Sequence, residues 1–131
     1  MIHASPFLRR AFLLDTIASG MMALLLTFGS AELAPLLNLP ENLLRETGLV
    51  LIAYTALVGW LATRQSMPRL LVMIVIAINA AWTVASIALF SSAVTPNLLG
   101  QVFIAGQAIV PGALAELQYI GLRRSGDTVA I

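Results

Sequence analysis

Four long apolar stretches constrain the fold of this chain more than any other feature of its sequence. They cover about residues 11–28, 43–63, 70–90 and 97–122. Each is close to the length of roughly 20 residues that a helix needs to cross the hydrocarbon core of a bilayer. The composition agrees, because 60% of the 131 residues are hydrophobic and only 10% are charged, whereas soluble domains carry about 25% charged residues. The sequence therefore predicts an all-α membrane protein with a single transmembrane domain over residues 1–131.

The arginines predict how the four spans are oriented. Six of the seven basic residues flank the outer ends of spans 1 and 4 or the connection between spans 2 and 3: Arg9, Arg10, Arg64, Arg69, Arg123 and Arg124. If the spans alternate in direction, Arg45 alone falls on the opposite side. Short segments rich in arginine stay in the cytoplasm. We therefore expect an antiparallel four-helix transmembrane bundle with both termini cytoplasmic.

The segments outside the spans have their own character. Residues 30–42 contain Pro35 and Pro40, which discourage a continuous helix, and enough leucine to suggest an interfacial segment. We expect residues 1–10 to form a short, mobile polar head and Asp127 to lie in a disordered tail.

Arg9-Arg10, the apolar run and the small residues after it also resemble a twin-arginine signal peptide. Three further spans follow rather than a secreted domain, which favours a first membrane span.

Each span carries one stripe of small or polar residues at helical spacing. The stripes comprise Asp15, Ser19 and Met22 in span 1; Gly48, Thr55, Gly59 and Ala62 in span 2; Asn79, Thr83 and Ser86, with Trp82 beside them, in span 3; and Gln101, Ala105, Ala108, Gly112, Glu116 and Tyr119 in span 4. Small residues let membrane helices approach closely, and polar ones form hydrogen bonds between helices. We expect the four stripes to meet in the core of the bundle.

Two acidic residues are the sharpest candidates for function. Asp15 follows Arg10 by five residues and Glu116 precedes Arg123 by seven, which puts both about 7–11 Å inside the same ends of their helices. They can meet if spans 1 and 4 are neighbours. One interpretation is that nearby arginines neutralise each carboxylate separately. The other is that the pair shares a proton or a cation.

Span 4 also contains a candidate kink at Pro111 and Gly112. Proline removes one backbone donor and frees the carbonyl group one turn earlier, that of Gln107. Interrupted helices are typical of transport sites, although proline is also tolerated in ordinary membrane helices. Together with the acidic residues and Asn79 near mid-membrane, Gln107 completes the candidate intramembrane polar site: Asp15, Glu116, Asn79 and Gln107.

The same residues exclude several classes of chemistry. The chain has no cysteine and one histidine, His3, so neither a cysteine metal site nor a histidine-based catalytic set can be built. There is also no phosphate-binding loop. We therefore expect no enzyme activity, no metal, no cofactor and no nucleic-acid partner.

Three groups of residues carry a resemblance to a known group of proteins: Asp15…Ser19-Gly20, Asn79…Trp82 and the closing stretch Ala115-Glu-Leu-Gln-Tyr-Ile-Gly-Leu-Arg-Arg124. With them, the chain resembles a group of small, uncharacterised four-span bacterial membrane proteins, from about Leu8 to Arg124. The resemblance implies a location in the bacterial inner membrane. It implies no activity, so no functional residue follows from it.

Three functional hypotheses remain. The first is a structural or accessory bundle that self-associates in the bilayer or docks onto a larger membrane complex. The second is a small oligomeric transporter or channel that uses the candidate polar site. The third is a bundle that binds a lipid, a quinone or a pigment in a groove beside Trp82 and the Pro111 kink.

Overall fold

The structure, a computed structural model, describes residues 1–92 and 94–127. Within them, four helices are long and apolar enough to cross a membrane. They are α1 (Pro6–Phe28), α3 (Glu41–Ala62), α4 (Arg69–Ala88), which a 3-10 turn (Leu89–Ser91) extends, and α5 (Leu98–Arg123). The prediction of a helical fold with four helices long and apolar enough to span a membrane is confirmed.

Two of the long helices begin at side-chain caps. The hydroxyl of Ser5 accepts a hydrogen bond from the backbone N–H of Leu8, and Pro6 occupies the first position of α1, where its missing N–H costs nothing. α1 therefore begins five residues before the predicted span. At the start of α5, Asn97 Oδ1 accepts from the N–H of Gly100 at 2.8 Å, which satisfies one of the unpaired donors of the first turn.

The segment between the first two spans contains a helix that the sequence did not predict. α2 (Ser30–Leu37) continues through Pro35 and ends at Asn38, whose φ of 55° lies in the left-handed region. Pro35 removes a single intrahelical hydrogen bond, and asparagine is one of the few residues that adopt the left-handed conformation readily. Only Pro40 acts as the break that we expected, because it precedes the first residue of α3.

The helices pack as two pairs, α1 with α3 and α4 with α5, and contacts between α1 and α5 join the pairs. Close approach depends on glycine at two crossings. A Cβ atom at Gly121 of α5 would lie 2.7 Å from the Cα of Leu8, and one at Gly48 of α3 would lie 2.6 Å from the backbone nitrogen of Thr27. The small-residue packing that is typical of membrane helices is therefore present at both crossings.

A three-stranded sheet joins the N-terminal segment to the connection between α3 and α4 and to the segment after α5. β1 (Ile2–His3) is its central strand and pairs antiparallel with β2 (Ser66–Met67) and β3 (Gly126–Asp127). The mobile head that we expected is thus wrong for Ile2 and His3, since Ile2 is completely buried. The expectation of a disordered tail is also wrong for Asp127, which belongs to β3. Positions 128–131 and 93 lie outside the described residues.

Asparagine side chains join the segments near the start of α5. Asn38 Nδ2 donates to the carbonyl oxygen of Thr95, and Asn97 Nδ2 donates to that of Leu36. The backbone N–H of Asn97 also donates to the carbonyl oxygen of Leu37. α2 is thereby fixed against the segment that enters the last long helix.

Candidate functional site

A buried carboxylate lies where all four long helices meet. Asp15 of α1 is fully buried, and its Oδ2 accepts hydrogen bonds from the Tyr54 hydroxyl at 2.5 Å, Gln118 Nε2 at 2.7 Å and Asn79 Nδ2 at 3.1 Å. Its Oδ1 accepts from the hydroxyl of Ser19 at 2.7 Å. We call these five residues the Asp15 cluster. It brings α1, α3, α4 and α5 to a single side chain.

The two amides of the cluster have only one consistent orientation. A carboxylate accepts hydrogen bonds, so the nitrogen atoms of Asn79 and Gln118 must face Asp15. Asn79 Nδ2 makes a second hydrogen bond to Gln118 Oε1 at 2.9 Å, which uses both of its hydrogens. The cluster is therefore directional, with its donors turned inward towards the carboxylate.

All four hydrogen-bond partners of Asp15 in the described part of the chain are neutral groups. A carboxylate inside a membrane span is costly unless its oxygen atoms are satisfied. Four donors from four helices provide that satisfaction without a positively charged side chain in direct contact. The arrangement differs from the arginine-neutralised carboxylate that we considered from the sequence.

Glu116 does not belong to the cluster. It is exposed, and no described hydrogen bond joins it to Asp15, although α1 and α5 are neighbours as the interpretation required. Gln118, two residues further along α5, occupies the position beside Asp15. Two residues turn a helix by about 200°, so Gln118 and Glu116 lie on nearly opposite sides. The structure thus brings together Asp15 and Asn79 but not the predicted acidic pair.

The inward face of α5 differs from the predicted stripe. Its buried residues recur at intervals of three and four: Gly100, Ile104, Ala108, Pro111, Leu114, Ala115, Gln118, Gly121 and Leu122. We placed Glu116 and Tyr119 on that face because they continue a stripe of small and polar residues at helical spacing, but both are exposed. The heptad spacing of Ala108, Ala115 and Leu122, and of Pro111 and Gln118, was the signal that could have identified the correct face.

Tyr54 was also missed from the sequence. Tyrosine in membrane helices is typically found at the interface with water, whereas Tyr54 lies well inside α3 and is buried. A tyrosine hydroxyl in such a position needs a hydrogen-bond partner. That requirement, together with Asp15 in another span, could have suggested the contact.

Gln107 forms a second set of polar contacts between α4 and α5. Its Oε1 accepts from the indole N–H of Trp82 at 3.0 Å, and its backbone carbonyl, which Pro111 frees, accepts from the Ser86 hydroxyl at 3.3 Å. Thr83 Oγ1 donates to the neighbouring carbonyl of Ala108 at 2.8 Å. The side chains of α4 thus satisfy the backbone around Pro111, and the helix continues through this residue and Gly112.

A cavity of about 350 Å³ adjoins the cluster. Its lining is contributed by all four long helices and is mostly apolar, with polar groups at Asp15, Ser19, Tyr54, Asn79 and Gln107; the apolar and aromatic residues around them include Met22, Leu51, Ile78, Trp82, Val102, Phe103, Val110, Pro111 and Leu114. We call it the Asp15 cavity. A volume of this size lies in the range of about 300–1,000 Å³ that is typical of small-molecule sites.

A second cavity of about 220 Å³ shares the lining residues Trp82, Phe103 and Gln107 with the first. Trp82 and Gln107 are hydrogen-bonded to each other. The remaining lining of the second cavity is largely aliphatic and includes Leu26, Leu39 and Leu44. The first cavity therefore has polar groups at Asp15, and the second is mainly apolar around the start of α3.

The described residues contain no group of three or more His, Asp or Glu side chains placed to hold a metal ion. Comparisons with models of protein families, with curated proteins and with solved structures found no match to this chain. The functional argument therefore depends on the Asp15 cluster and on the cavity beside it.

Proposed function

We propose that this chain is a small integral membrane protein that binds one lipophilic molecule in the Asp15 cavity. The observation that carries the proposal is the cavity itself, about 350 Å³ in volume and lined by all four long helices. Sites for small molecules are mostly apolar with a few polar groups that fix orientation, and they commonly lie between the helices of bundles. The Asp15 cavity has this composition, and it lies beside Trp82 and Pro111, where the sequence suggested a groove.

The proposed ligand reaches the site from the bilayer. A lipophilic molecule is already concentrated in the membrane, so the protein requires no soluble domain to capture it. The transport alternative depends on Asp15 acting together with Glu116, and Glu116 is exposed on another side of α5. Binding rather than transport is therefore the activity that the cavity supports best.

Mass spectrometry of the native protein, extracted from its own host in membrane discs, tests the proposal. We expect a lipophilic molecule to remain bound at about one copy per chain. The variant Gly106→Leu should block the site with its larger side chain, because Gly106 lines the cavity. A Cβ at this position would meet nothing within 4 Å, so the backbone can accept the change. The matched control is Ala113→Leu, an exposed position on the same helix. Equal ligand content in both variants would contradict the proposal.

A second candidate is the structural or accessory bundle, either self-associated or docked on a larger membrane complex. It is favoured by the Asp15 cluster, where one carboxylate of α1 is joined to the three other long helices by three hydrogen bonds. In that case the polar residues of the cluster stabilise the fold and bind no ligand. The same mass spectra would then show a homo-oligomer or a stoichiometric protein partner and no bound small molecule.

We further propose that the chain lies in a bacterial inner membrane as an antiparallel four-helix bundle with cytoplasmic termini. The distribution of arginine supports this orientation, and so does the sheet that joins β1, β2 and β3. β2 lies in the arginine-flanked connection between α3 and α4, and β3 follows the Arg123-Arg124 pair. The group of bacterial proteins that the chain resembles has the same four-span organisation.

A further inference from the structure

The hydrogen-bond capacity of Asp15 is distributed unequally between its two oxygens. A carboxylate has about four lone-pair sites, shared between its two oxygens. Oδ2 accepts three hydrogen bonds, from Tyr54, Asn79 and Gln118, while Oδ1 accepts only one, from Ser19. The remaining capacity to accept a hydrogen bond therefore lies on Oδ1.

The residue that carries this remaining capacity lines the cavity. Asp15 lines the Asp15 cavity together with Ser19, the partner of Oδ1, and with Tyr54 and Asn79, two of the three partners of Oδ2. The hydroxyl hydrogens of Ser19 and Tyr54 and both Nδ2 hydrogens of Asn79 are already donated within the cluster. What this end of the cavity offers a ligand is therefore a set of acceptors, and the carboxylate is the strongest of them.

The surroundings of these acceptors favour a positive charge. The partners of Asp15 are neutral, so a cation placed against Oδ1 would offset the cost of holding a carboxylate in a medium of low dielectric constant. Three aromatic residues, Tyr54, Trp82 and Phe103, also line the cavity, and aromatic faces attract cations. The remainder of the lining is aliphatic and suits a hydrocarbon tail.

We infer that the ligand of the Asp15 cavity is a lipophilic amine, whose ammonium N–H donates to Asp15 Oδ1 while its apolar body fills the space beside Trp82 and Phe103. This inference rests on the proposed ligand-binding function and names the chemical class of the ligand. It predicts a preference for an N–H-bearing cation over a neutral molecule of equal length. It also predicts a preference over a cation without N–H groups.

The test uses three probes of matched chain length: octylammonium, octanol and octyltrimethylammonium. The protein carries Trp60→Phe, which leaves Trp82 as its single tryptophan, and binding in discs of zwitterionic lipid is followed by Trp82 fluorescence. The same titrations on the Gly106→Leu form measure partition into the bilayer. We expect octylammonium to bind at least about tenfold more tightly than either other probe, as a charge-assisted hydrogen bond requires.

Equal binding of octylammonium and octanol would overturn the inference and leave the ligand-binding function standing. Equal binding of octylammonium and octyltrimethylammonium would overturn the hydrogen bond to Oδ1. If each of the three probes has the same affinity for the Trp60→Phe protein with and without Gly106→Leu, the inference and the proposed function both fail.

Two variants connect the preference to Asp15. Asp15→Asn removes the charge and should abolish the preference for octylammonium. Because this change also touches the core of the fold, Ser19→Ala provides an independent measurement. It removes the single described donor to Oδ1 and keeps the three donors to Oδ2, so octylammonium should bind more tightly relative to octanol. A weaker relative affinity in Ser19→Ala would overturn the assignment of Oδ1.

Discussion

Gln118 Nε2 lies 2.7 Å from Asp15 Oδ2, although the two residues are 103 positions apart in the chain. This hydrogen bond connects the first and last membrane helices at a fully buried point. It also explains why Glu116, the stronger polar group nearby, is not needed there.

Gln118→Leu should destabilise the protein, whereas Glu116→Gln should have little effect. The first change leaves Asp15 without one donor and Asn79 without one acceptor, a loss of about 1–3 kcal/mol for buried groups. The second alters an exposed side chain. The free energy of unfolding in mixed micelles measures both. A larger loss for Glu116→Gln would contradict the placement of α5.

The two tyrosines of the chain form a matched pair. Tyr54→Phe removes the hydroxyl that donates to Asp15 and keeps the ring, so we expect a loss of stability of about 1 kcal/mol, in the range of hydrogen bonds between membrane helices. Tyr119 is half exposed, and Tyr119→Phe should change stability little. Thermal unfolding of the two variants under identical conditions distinguishes them, and equal shifts would argue against a buried Tyr54 hydroxyl.

Two glycines of α5 should respond in opposite ways to alanine. Gly121→Ala places a Cβ 2.7 Å from the Cα of Leu8, and such overpacking costs about 1–3 kcal/mol. Gly106→Ala meets nothing within 4 Å and should stabilise the helix by up to about 1 kcal/mol. Unfolding measurements on both variants check the expectation. Similar losses at the two positions would show that α1 and α5 do not cross at Gly121.

The residues that line both cavities, Trp82, Phe103 and Gln107, should limit the length of a ligand. Gln107→Ala removes the acceptor of the Trp82 N–H and opens the second cavity of about 220 Å³ to the first. We expect the preferred alkyl chain to lengthen by several carbon atoms, measured by titrating alkylamines of increasing length. Gln101→Ala, at an exposed position of the same helix, is the control and should keep the original limit. An unchanged length preference in Gln107→Ala would show that Gln107 does not divide the site.

The orientation can be tested directly because the chain has no cysteine. Gln65→Cys and Ser92→Cys each introduce a single thiol at an exposed position, one in the connection after α3 and one after α4. In intact cells, we expect an impermeant maleimide to label position 92 and not position 65. Labelling of position 65 alone would reverse the proposed topology, and labelling of both positions in every cell would indicate dual orientation.

The sequence was sufficient to predict the four long helices because their length and apolar composition exceed what any soluble fold requires. It also predicted the participation of Asp15, Ser19 and Asn79, since polar residues at helical spacing inside apolar spans have few other roles. The helix α2 was not predicted, because a single proline was weighted as a helix breaker without considering that one lost hydrogen bond leaves a short helix intact.

The partners of Asp15 on α3 and α5, Tyr54 and Gln118, were not predicted. The predicted stripe of small and polar residues on α5 included Glu116 and left out Gln118, which lies about 200° away around the helix. A carboxylate in a membrane helix does not require a second charge, because neutral amides and hydroxyls can satisfy it. The rotation of each helix depends on which pairs pack together, and one sequence contains that information only indirectly.

The small sheet has a consequence for the order in which the fold is completed. β1 is its central strand, yet it is synthesised before both of its neighbours, β2 and β3. One edge of β1 can be paired once α3 has been made, but the other stays open until α5 has been inserted and the ribosome has reached Gly126. The first strand of the chain therefore has the central place in the sheet but obtains its second partner only after the last long helix is complete.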